Sequence, residues 1–81
     1  MKVAVDISLY PLDEDFIPPI KNIIKRLAGH GAVEIEYNRM STQLRGEYDD
    51  VMSVLTQEIR TTFADVPKAV FAIKILNNPV V

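Results

Sequence analysis

Aliphatic side chains occupy every second position near the start of this chain, and this alternation constrains the fold more than any other feature. One face of an extended segment 2–10 would carry Val3, Val5, Ile7 and Leu9. The opposite face would carry Ala4, Asp6, Ser8 and Tyr10. A period of two with β-branched residues on one side is typical of a strand with one buried face. We therefore predict a strand over residues 2–10, ended by Pro11, which cannot donate to a ladder.

Three later segments also have strand character. We predict strands over residues 32–38, 40–45 and 68–76, the first and last of which alternate β-branched or aromatic residues with others. Asn38 and Arg39 would connect the first two of these strands, and Gly46 would end the second. The tail from Asn77 to Val81 is predicted to be loose, as chain termini often are.

Two other segments show the i, i+3, i+4 spacing of an amphipathic helix. The first stripe consists of Ile20, Ile23, Ile24 and Leu27, and the second of Tyr48, Met52, Leu55, Ile59 and Phe63. Pro18 and Pro19 are compatible with a first helical turn, and Gly29 and Gly31 would end the first helix. Acidic residues suited to the positive end of a helix precede or open each one: Asp13, Glu14 and Asp15, then Glu47, Asp49 and Asp50.

The resulting order, βαββαβ, predicts an α+β fold of the ferredoxin-like sandwich type. Such a fold has a four-stranded antiparallel sheet with both helices on one face. Right-handed crossovers would place the first and third strands at the centre of the sheet. The 81 residues are enough for a single domain spanning 1–81.

Composition disfavours several classes of protein. Nine basic against eleven acidic residues give a net charge of -2, unlike a protein that binds nucleic acid through clustered Lys and Arg. With no cysteine, thiolate metal sites and cysteine nucleophiles are excluded. No apolar run approaches the roughly 20 residues of a membrane helix, so we expect no membrane insertion. Without a signal-peptide pattern at the start, the expected location is cytoplasmic.

The sequence also lacks a persuasive catalytic group. His30, the single histidine, stands between two glycines and is predicted to be a solvated turn residue. The sequence contains many carboxylates but no convincing pair of a nucleophile and a base. We therefore predict that the protein is not an enzyme and needs no cofactor.

Thr42 is the most informative polar residue. If Met40 and Leu44 face the helices, Thr42 does too, and a buried hydroxyl needs a partner. It would bond a nearby carbonyl, pack as a β-branched residue, or line a small cavity between sheet and helices. The acidic loop 13–15 has two readings as well, a helix cap or an acidic rim that attracts a cationic ligand.

Polar residues on the other face of the sheet allow two interpretations. The set comprises Asp6, Ser8, Ser41, Gln43 and Arg45. These side chains are either solvated or form a polar sheet-to-sheet interface, since a small domain often gains stability by association. Pairing of edge strands is an equal alternative. We expect a homodimer or a higher homo-oligomer.

Two runs, taken together, resemble the YkoF-like thiamine/hydroxymethylpyrimidine-binding proteins. The first is Ile7-Ser8-Leu9-Tyr10-Pro11-Leu12, followed by Asp13-Glu14-Asp15-Phe16-Ile17. The second is Met40-Ser41-Thr42-Gln43-Leu44-Arg45-Gly46, which leads into an acidic helix start. The spacing of the runs also fits the family, and the resemblance covers nearly the whole chain. The namesake type carries two copies of this domain in one chain, a pair that a homodimer of this chain would reproduce.

The resemblance implies a ferredoxin-like fold that binds thiamine or its pyrimidine moiety without catalysis, for transport, salvage or sensing. Carried over, the ligand contacts are Leu9, through its backbone, and Thr42, through its side chain. Ser8, Tyr10 and Ser41 beside them are further candidates. The positive thiazolium of thiamine would be offset by Tyr10 or Tyr48, or by the carboxylate of Glu47. The alternative function is a structural or regulatory homo-oligomeric interaction domain without a small-molecule ligand.

Overall fold

The alternating residues near the start of the chain form the strand on which the sheet is built. The computed structural model describes residues 1–12, 14–15 and 17–79. Its elements are β1 (Lys2–Pro11), α1 (Ile17–Ala28), β2 (Glu34–Tyr37), β3 (Thr42–Glu47), α2 (Tyr48–Asp65) and β4 (Ala69–Asn77). The predicted order βαββαβ is confirmed.

The four strands form one antiparallel sheet in the order β2-β3-β1-β4. Val5 of β1 lies opposite Leu44 of β3 on one side and opposite Ile75 of β4 on the other. The prediction that the first and third strands are central is therefore confirmed. Val3, Val5 and Ile7 are only 2–3% exposed, because β1 has a neighbour on each side and helices above.

Both helices cover the same face of the sheet and complete the core. The buried apolar side chains in contact are Val3, Val5, Ile7, Ile23, Leu27, Val33, Leu44, Val51, Val54 and Leu55. Burying each aliphatic side chain of this size contributes about 1.5–3 kcal/mol to folding. Neither helix in the described part of the chain is long and apolar enough to cross a membrane.

The boundaries of β3 differ from the prediction. The strand begins at Thr42 rather than at residue 40, so Met40 precedes it and is 85% exposed instead of facing the helices. Gly46 does not end the strand, because it pairs with Val3 inside the ladder. A Cβ at Gly46 would lie 3.4 Å from the Ala32 carbonyl oxygen and from Val33 Cγ1. Glycine is suited to this position because the neighbouring chain packs closely against it.

Two other boundaries also shift. β2 is shorter than predicted and covers Glu34–Tyr37 only. β4 extends to Asn77, which pairs with Val3, and the Asn78 amide donates to the Lys2 carbonyl at 3.2 Å. The start of the predicted loose tail is therefore ordered, whereas Val80 and Val81 lie outside the described residues.

The buried stripe of α2 is also displaced from the prediction. Tyr48 and Phe63 are 44% and 52% exposed, and of the predicted stripe only Leu55 is fully buried. The buried positions are Val51, Val54, Leu55, Glu58 and Thr62. Both sets have helical spacing, but the buried set includes a carboxylate, which a search for apolar stripes passes over.

Glu58 is buried because α1 and the segment directly after it supply it with partners. Its Oε2 accepts a hydrogen bond from Arg26 Nε at 2.5 Å, and its Oε1 lies 3.0 Å from His30 Nε2. Arg26 Nη2 also donates to the Thr62 hydroxyl at 3.0 Å. These contacts join α2 to α1 and to the segment directly after α1, and we call Arg26, His30, Glu58 and Thr62 the helix clamp. The prediction that His30 is solvated is wrong, because its side chain is 24% exposed and paired with Glu58.

The acidic residues near the starts of the two helices differ in their position relative to the first helical turn. Asp49 and Asp50 lie in the first turn of α2, as predicted. The first turn of α1 contains no acidic residue, since Glu14 and Asp15 come before Ile17. Asp13 lies outside the described residues.

Glu58→Gln tests the helix clamp. The substitution keeps the size of the side chain but removes the charge that pairs with Arg26. We expect the free energy of unfolding to fall by about 1–3 kcal/mol, measured by urea denaturation at pH 7. The matched control is Glu14→Gln in an exposed loop, with an expected change within about 0.5 kcal/mol. Equal stability of the two variants would show that the clamp contributes nothing.

Candidate ligand-binding site

One end of β1 extends past its neighbour, and a cavity lies there. The β1–β3 ladder ends where Ile7 meets Thr42, whereas the β1–β4 ladder continues to Pro11 and Ala69. Residues 8–11 therefore have a strand on one side only. The space beside them, bounded by α1 and by the connection between β2 and β3, forms a cavity of about 500 Å³.

The cavity wall is mainly apolar, with a smaller set of polar groups. Its apolar residues are Ile7, Leu9, Pro11, Leu12, Ile20, Ile23, Ile24, Leu27, Met40 and Phe71. Its polar residues are Ser8, Tyr10, Asn38, Arg39, Ser41 and Thr42. An apolar enclosure with a few polar groups is the usual composition of a site for a small organic molecule.

All five residues singled out from the sequence border this one cavity: Ser8, Leu9, Tyr10, Ser41 and Thr42. Ser8 and Tyr10 alternate with Leu9 along β1, so their side chains leave the strand on the other face. They still border the cavity because it lies beside the unpaired end of β1. Binding of a ligand by these residues remains a prediction.

The groups predicted to offset a positive charge are only partly at the cavity. Tyr10 borders it, but Glu47 and Tyr48 lie at the far end of β3, where Glu47 pairs with Lys2. Glu14 and Asp15 are not part of its wall either. The charged side chain among the described lining residues is that of Arg39. The predicted acidic rim is therefore not part of the described wall.

Thr42 is the most buried of the polar lining residues. It is 8% exposed and lies at the first position of β3, opposite Ile7 on one side and Tyr37 on the other. Its hydroxyl has no hydrogen-bond partner within the described part of the chain. The interpretation that it bonds a nearby carbonyl is therefore wrong. The hydroxyl remains able to donate and accept at the cavity wall.

The backbone of β1 supplies further polar groups. In an antiparallel sheet, alternate residues direct their N–H and C=O groups to the two flanking strands. Past Ile7, the flank on the β3 side has no ladder partner. A ligand beside residues 8–11 would therefore meet unpaired backbone groups, which agrees with the predicted backbone contact at Leu9.

Asn38 shapes the connection between β2 and β3. Its Oδ1 accepts hydrogen bonds from the backbone amides of Met40 and Ser41, at 2.7 and 3.1 Å. The Asn38 amide also donates to the Ser41 carbonyl at 3.1 Å. Sequence reasoning treated Asn38 only as a plausible turn residue, although the ability of Asn to bond its own following backbone is a known signal. This turn places Ser41 and Thr42 at the cavity.

Phe71 is a wall residue that sequence reasoning missed. It lies opposite Leu9 in the β1–β4 ladder, and its ring centroid is 5.5 Å from that of Phe63 on α2. Alternation along the last strand groups Phe71 with Ile73 and Ile75 on one face. Only the register between β1 and β4 shows that it meets Leu9.

Asn38→Ala tests the turn. The change removes the acceptor for the two backbone amides of Met40 and Ser41. We expect a loss of about 1 kcal/mol in the free energy of unfolding and faster hydrogen exchange at both amides. Asn38→Asp is the control, because it retains the acceptor oxygen. Equally fast exchange in the two variants would show that the turn is held by its backbone alone and not by the Asn38 side chain.

Several solved structures share this fold over nearly the whole chain. A Streptococcus pneumoniae protein superposes with a TM-score of 0.89 at 22% identity, covering 99% of this chain and 90% of that one. A Thermotoga maritima protein, assigned provisionally to thiamine biosynthesis or salvage, gives 0.83 at 23% identity over 93% and 82% of the two chains. A Bacillus cereus domain of unknown function gives 0.80 at 23% identity over 99% and 79%. At these identities the likeness shows the ferredoxin-like fold.

The sequence itself identifies the family. No curated protein sequence matches the chain significantly. The model of the YKOF-related family matches residues 2–79, which includes both runs that carry the resemblance and all six secondary-structure elements. The chain therefore belongs to the YKOF-related family.

Proposed function

We propose that this protein binds thiamine or its hydroxymethylpyrimidine moiety in the cavity at the end of β1. The observation that carries the proposal is the convergence of Ser8, Leu9, Tyr10, Ser41 and Thr42 on one mainly apolar cavity. Membership of the YKOF-related family supports it. The provisional assignment of the Thermotoga maritima protein to thiamine biosynthesis or salvage points in the same direction.

The cavity chemistry suits an aminopyrimidine. Such a ring is flat, so its faces would pack against Leu9, Ile24 and Phe71, all partly buried around the core. Its edge carries donors and acceptors, which the Thr42 hydroxyl and the unpaired flank of β1 would satisfy. A volume of about 500 Å³ lies within the usual range for small-molecule sites. The remaining thiazolium would lie toward Tyr10, whose ring face attracts a cation.

The proposed role is binding without catalysis. The polar side chains of the described wall are hydroxyls, an amide and a guanidinium, which suit hydrogen bonding to a ligand. Such a protein would serve transport, salvage or sensing of the ligand in the cytoplasm, as a homo-oligomer. The competing function is a homo-oligomeric interaction domain without a small-molecule ligand, favoured by the exposed apolar side chains of Val70 and Leu76 on β4.

Thr42→Val tests the proposed ligand contact. Valine keeps the branched shape and removes the hydroxyl. We expect the dissociation constant for thiamine or hydroxymethylpyrimidine to rise about tenfold, measured by titration calorimetry, because one buried hydrogen bond to the ligand is lost. Thr56→Val on the exposed side of α2 is the matched control. Unchanged affinity in Thr42→Val would remove Thr42 from the site.

Arg39 gives the proposal a second test. Its guanidinium is the charged group of the described wall, so it would favour a phosphorylated ligand over a neutral one. We expect thiamine phosphate or hydroxymethylpyrimidine phosphate to bind more tightly than the parent compound. Arg39→Gln should reduce that advantage by about fivefold or more, since one charge-assisted hydrogen bond is lost. The parent compound serves as the internal control, and an unchanged preference would show that Arg39 does not meet the phosphate.

A further inference from the structure

The turn between β2 and β3 presents a large apolar side chain to solvent at the edge of the ligand cavity. Met40 is 85% exposed, the highest value for a large apolar residue in the described part of the chain. It nevertheless belongs to the cavity wall, together with Thr42 two residues later. A side chain that is both exposed and part of a cavity wall is free to move between solvent and the cavity.

The exposure of the lining residues divides them into a floor and a mouth. Ile7, Leu27 and Thr42 are buried and form the floor of the cavity. Tyr10 and Met40 are exposed and therefore lie at its mouth. A ligand that reaches Thr42 on the floor would leave its outer side toward these two side chains.

Met40 combines a restrained backbone with an unrestrained side chain. Its amide donates to Asn38 Oδ1 at 2.7 Å, and the Asn38 amide donates to the Ser41 carbonyl at 3.1 Å. A chain spans at most about 3.6 Å per residue, so the Cα atoms of Met40 and Thr42 lie within roughly 7 Å of one another. Methionine is unbranched and has three rotatable bonds, which let it fill irregular apolar gaps. The side chain is therefore long and flexible enough to fold across a ring bound at Thr42.

We propose that Met40 closes the mouth of the cavity over the ring of the bound ligand, and that oxidation of its thioether reopens the cavity. This inference rests on the proposed function, to which it adds a closing residue and a redox-sensitive modification site. Closure removes the exposed apolar surface of Met40 from water, which is favourable. It also brings a polarizable sulfur against an aromatic ring, a contact that is favourable in proteins.

The oxidation is an oxygen transfer from a peroxide to the sulfur of Met40, which solvent reaches because the side chain is exposed. The O–O bond of hydrogen peroxide breaks, an S–O bond forms, and water leaves. The sulfur is oxidised and the peroxide is reduced, and methionine sulfoxide reductases reverse the change. The sulfoxide is polar, so it favours water over the face of an apolar ring.

Oxidation footprinting tests whether Met40 closes over a ligand. Met1 is the matched control, because it is 81% exposed and lies outside the cavity wall. Hydroxymethylpyrimidine is the probe, because it lacks the thiazole sulfur that would consume oxidant. We expect hydrogen peroxide to oxidise Met40 and Met1 at similar rates in the free protein, measured by peptide mass spectrometry. Saturating probe should slow oxidation of Met40 by about fivefold or more and leave Met1 unchanged.

Affinity measurements test the effect of the oxidation itself. Wild-type protein that has been treated with peroxide and desalted should bind hydroxymethylpyrimidine about tenfold more weakly, measured by titration calorimetry. Met40→Leu retains an apolar side chain and leaves Met1 and Met52 as the oxidisable methionines. Its affinity should stay close to that of untreated wild type, before and after peroxide. Met40→Gln, with a polar side chain of similar length, should bind about tenfold more weakly without any oxidation.

Three results would overturn the inference, provided that circular dichroism melting shows each variant to be folded. Met40 would be oxidised equally fast with and without bound probe. Alternatively, peroxide would weaken binding equally in wild type and Met40→Leu, which would assign the effect to Met1 or Met52. Lastly, Met40→Gln would bind as tightly as wild type. Wild-type protein that binds neither thiamine nor hydroxymethylpyrimidine would instead refute the proposed function, and this inference with it.

Discussion

The unequal pairing of β1 with its two neighbours is the constraint on which the candidate site depends. β1 is held in the core by three buried aliphatic residues, and β4 accompanies it to Pro11. β3 leaves it at Ile7. The space beside the remaining residues cannot be closed by a strand, so it is bounded by side chains from α1 and by the turn at Asn38. A cavity and an unpaired backbone flank therefore arise together.

The remaining wall of the cavity depends on where α1 lies. Ile23 and Leu27 bury one side of this helix against the sheet, while Arg26, and His30 just after the helix, pair with Glu58 of α2. A buried carboxylate needs such partners, because an unpaired buried charge is strongly unfavourable. The helix clamp thus restrains the helix that supplies the largest apolar part of the cavity wall.

Local sequence patterns predict most of the fold. Alternation identified β1 and β4 within one residue at their ends, and the i, i+3, i+4 pattern identified α1 because its buried residues are apolar. The same reasoning failed for α2, where the buried set includes Glu58, whose partners Arg26 and His30 lie in α1 and just after it. It also failed for Met40, because the Asn38 side chain delays the start of β3 by two residues. The first error concerns contacts between segments and the second a side-chain contact within one turn, and neither is visible in apolar periodicity.

The candidate site was likewise predictable from the sequence only in part. Leu9 and Thr42 were identified through the alternation of their strands and a family resemblance. Their position at a shared cavity also requires the register between β1 and β3. Phe71 and Arg39 were missed, since their approach to that cavity follows from the β1–β4 register and from the turn.

Chemical-shift mapping on the isotopically labelled protein tests the central claim most directly. Titration with thiamine and with hydroxymethylpyrimidine should cause saturable shifts at residues 8–12 and 38–42 and at Phe71, around the cavity. The amides of Gly46 and Glu47, at the opposite end of β3, should not move. Saturable shifts centred on that opposite end, or none at millimolar ligand in a folded protein, would contradict the account.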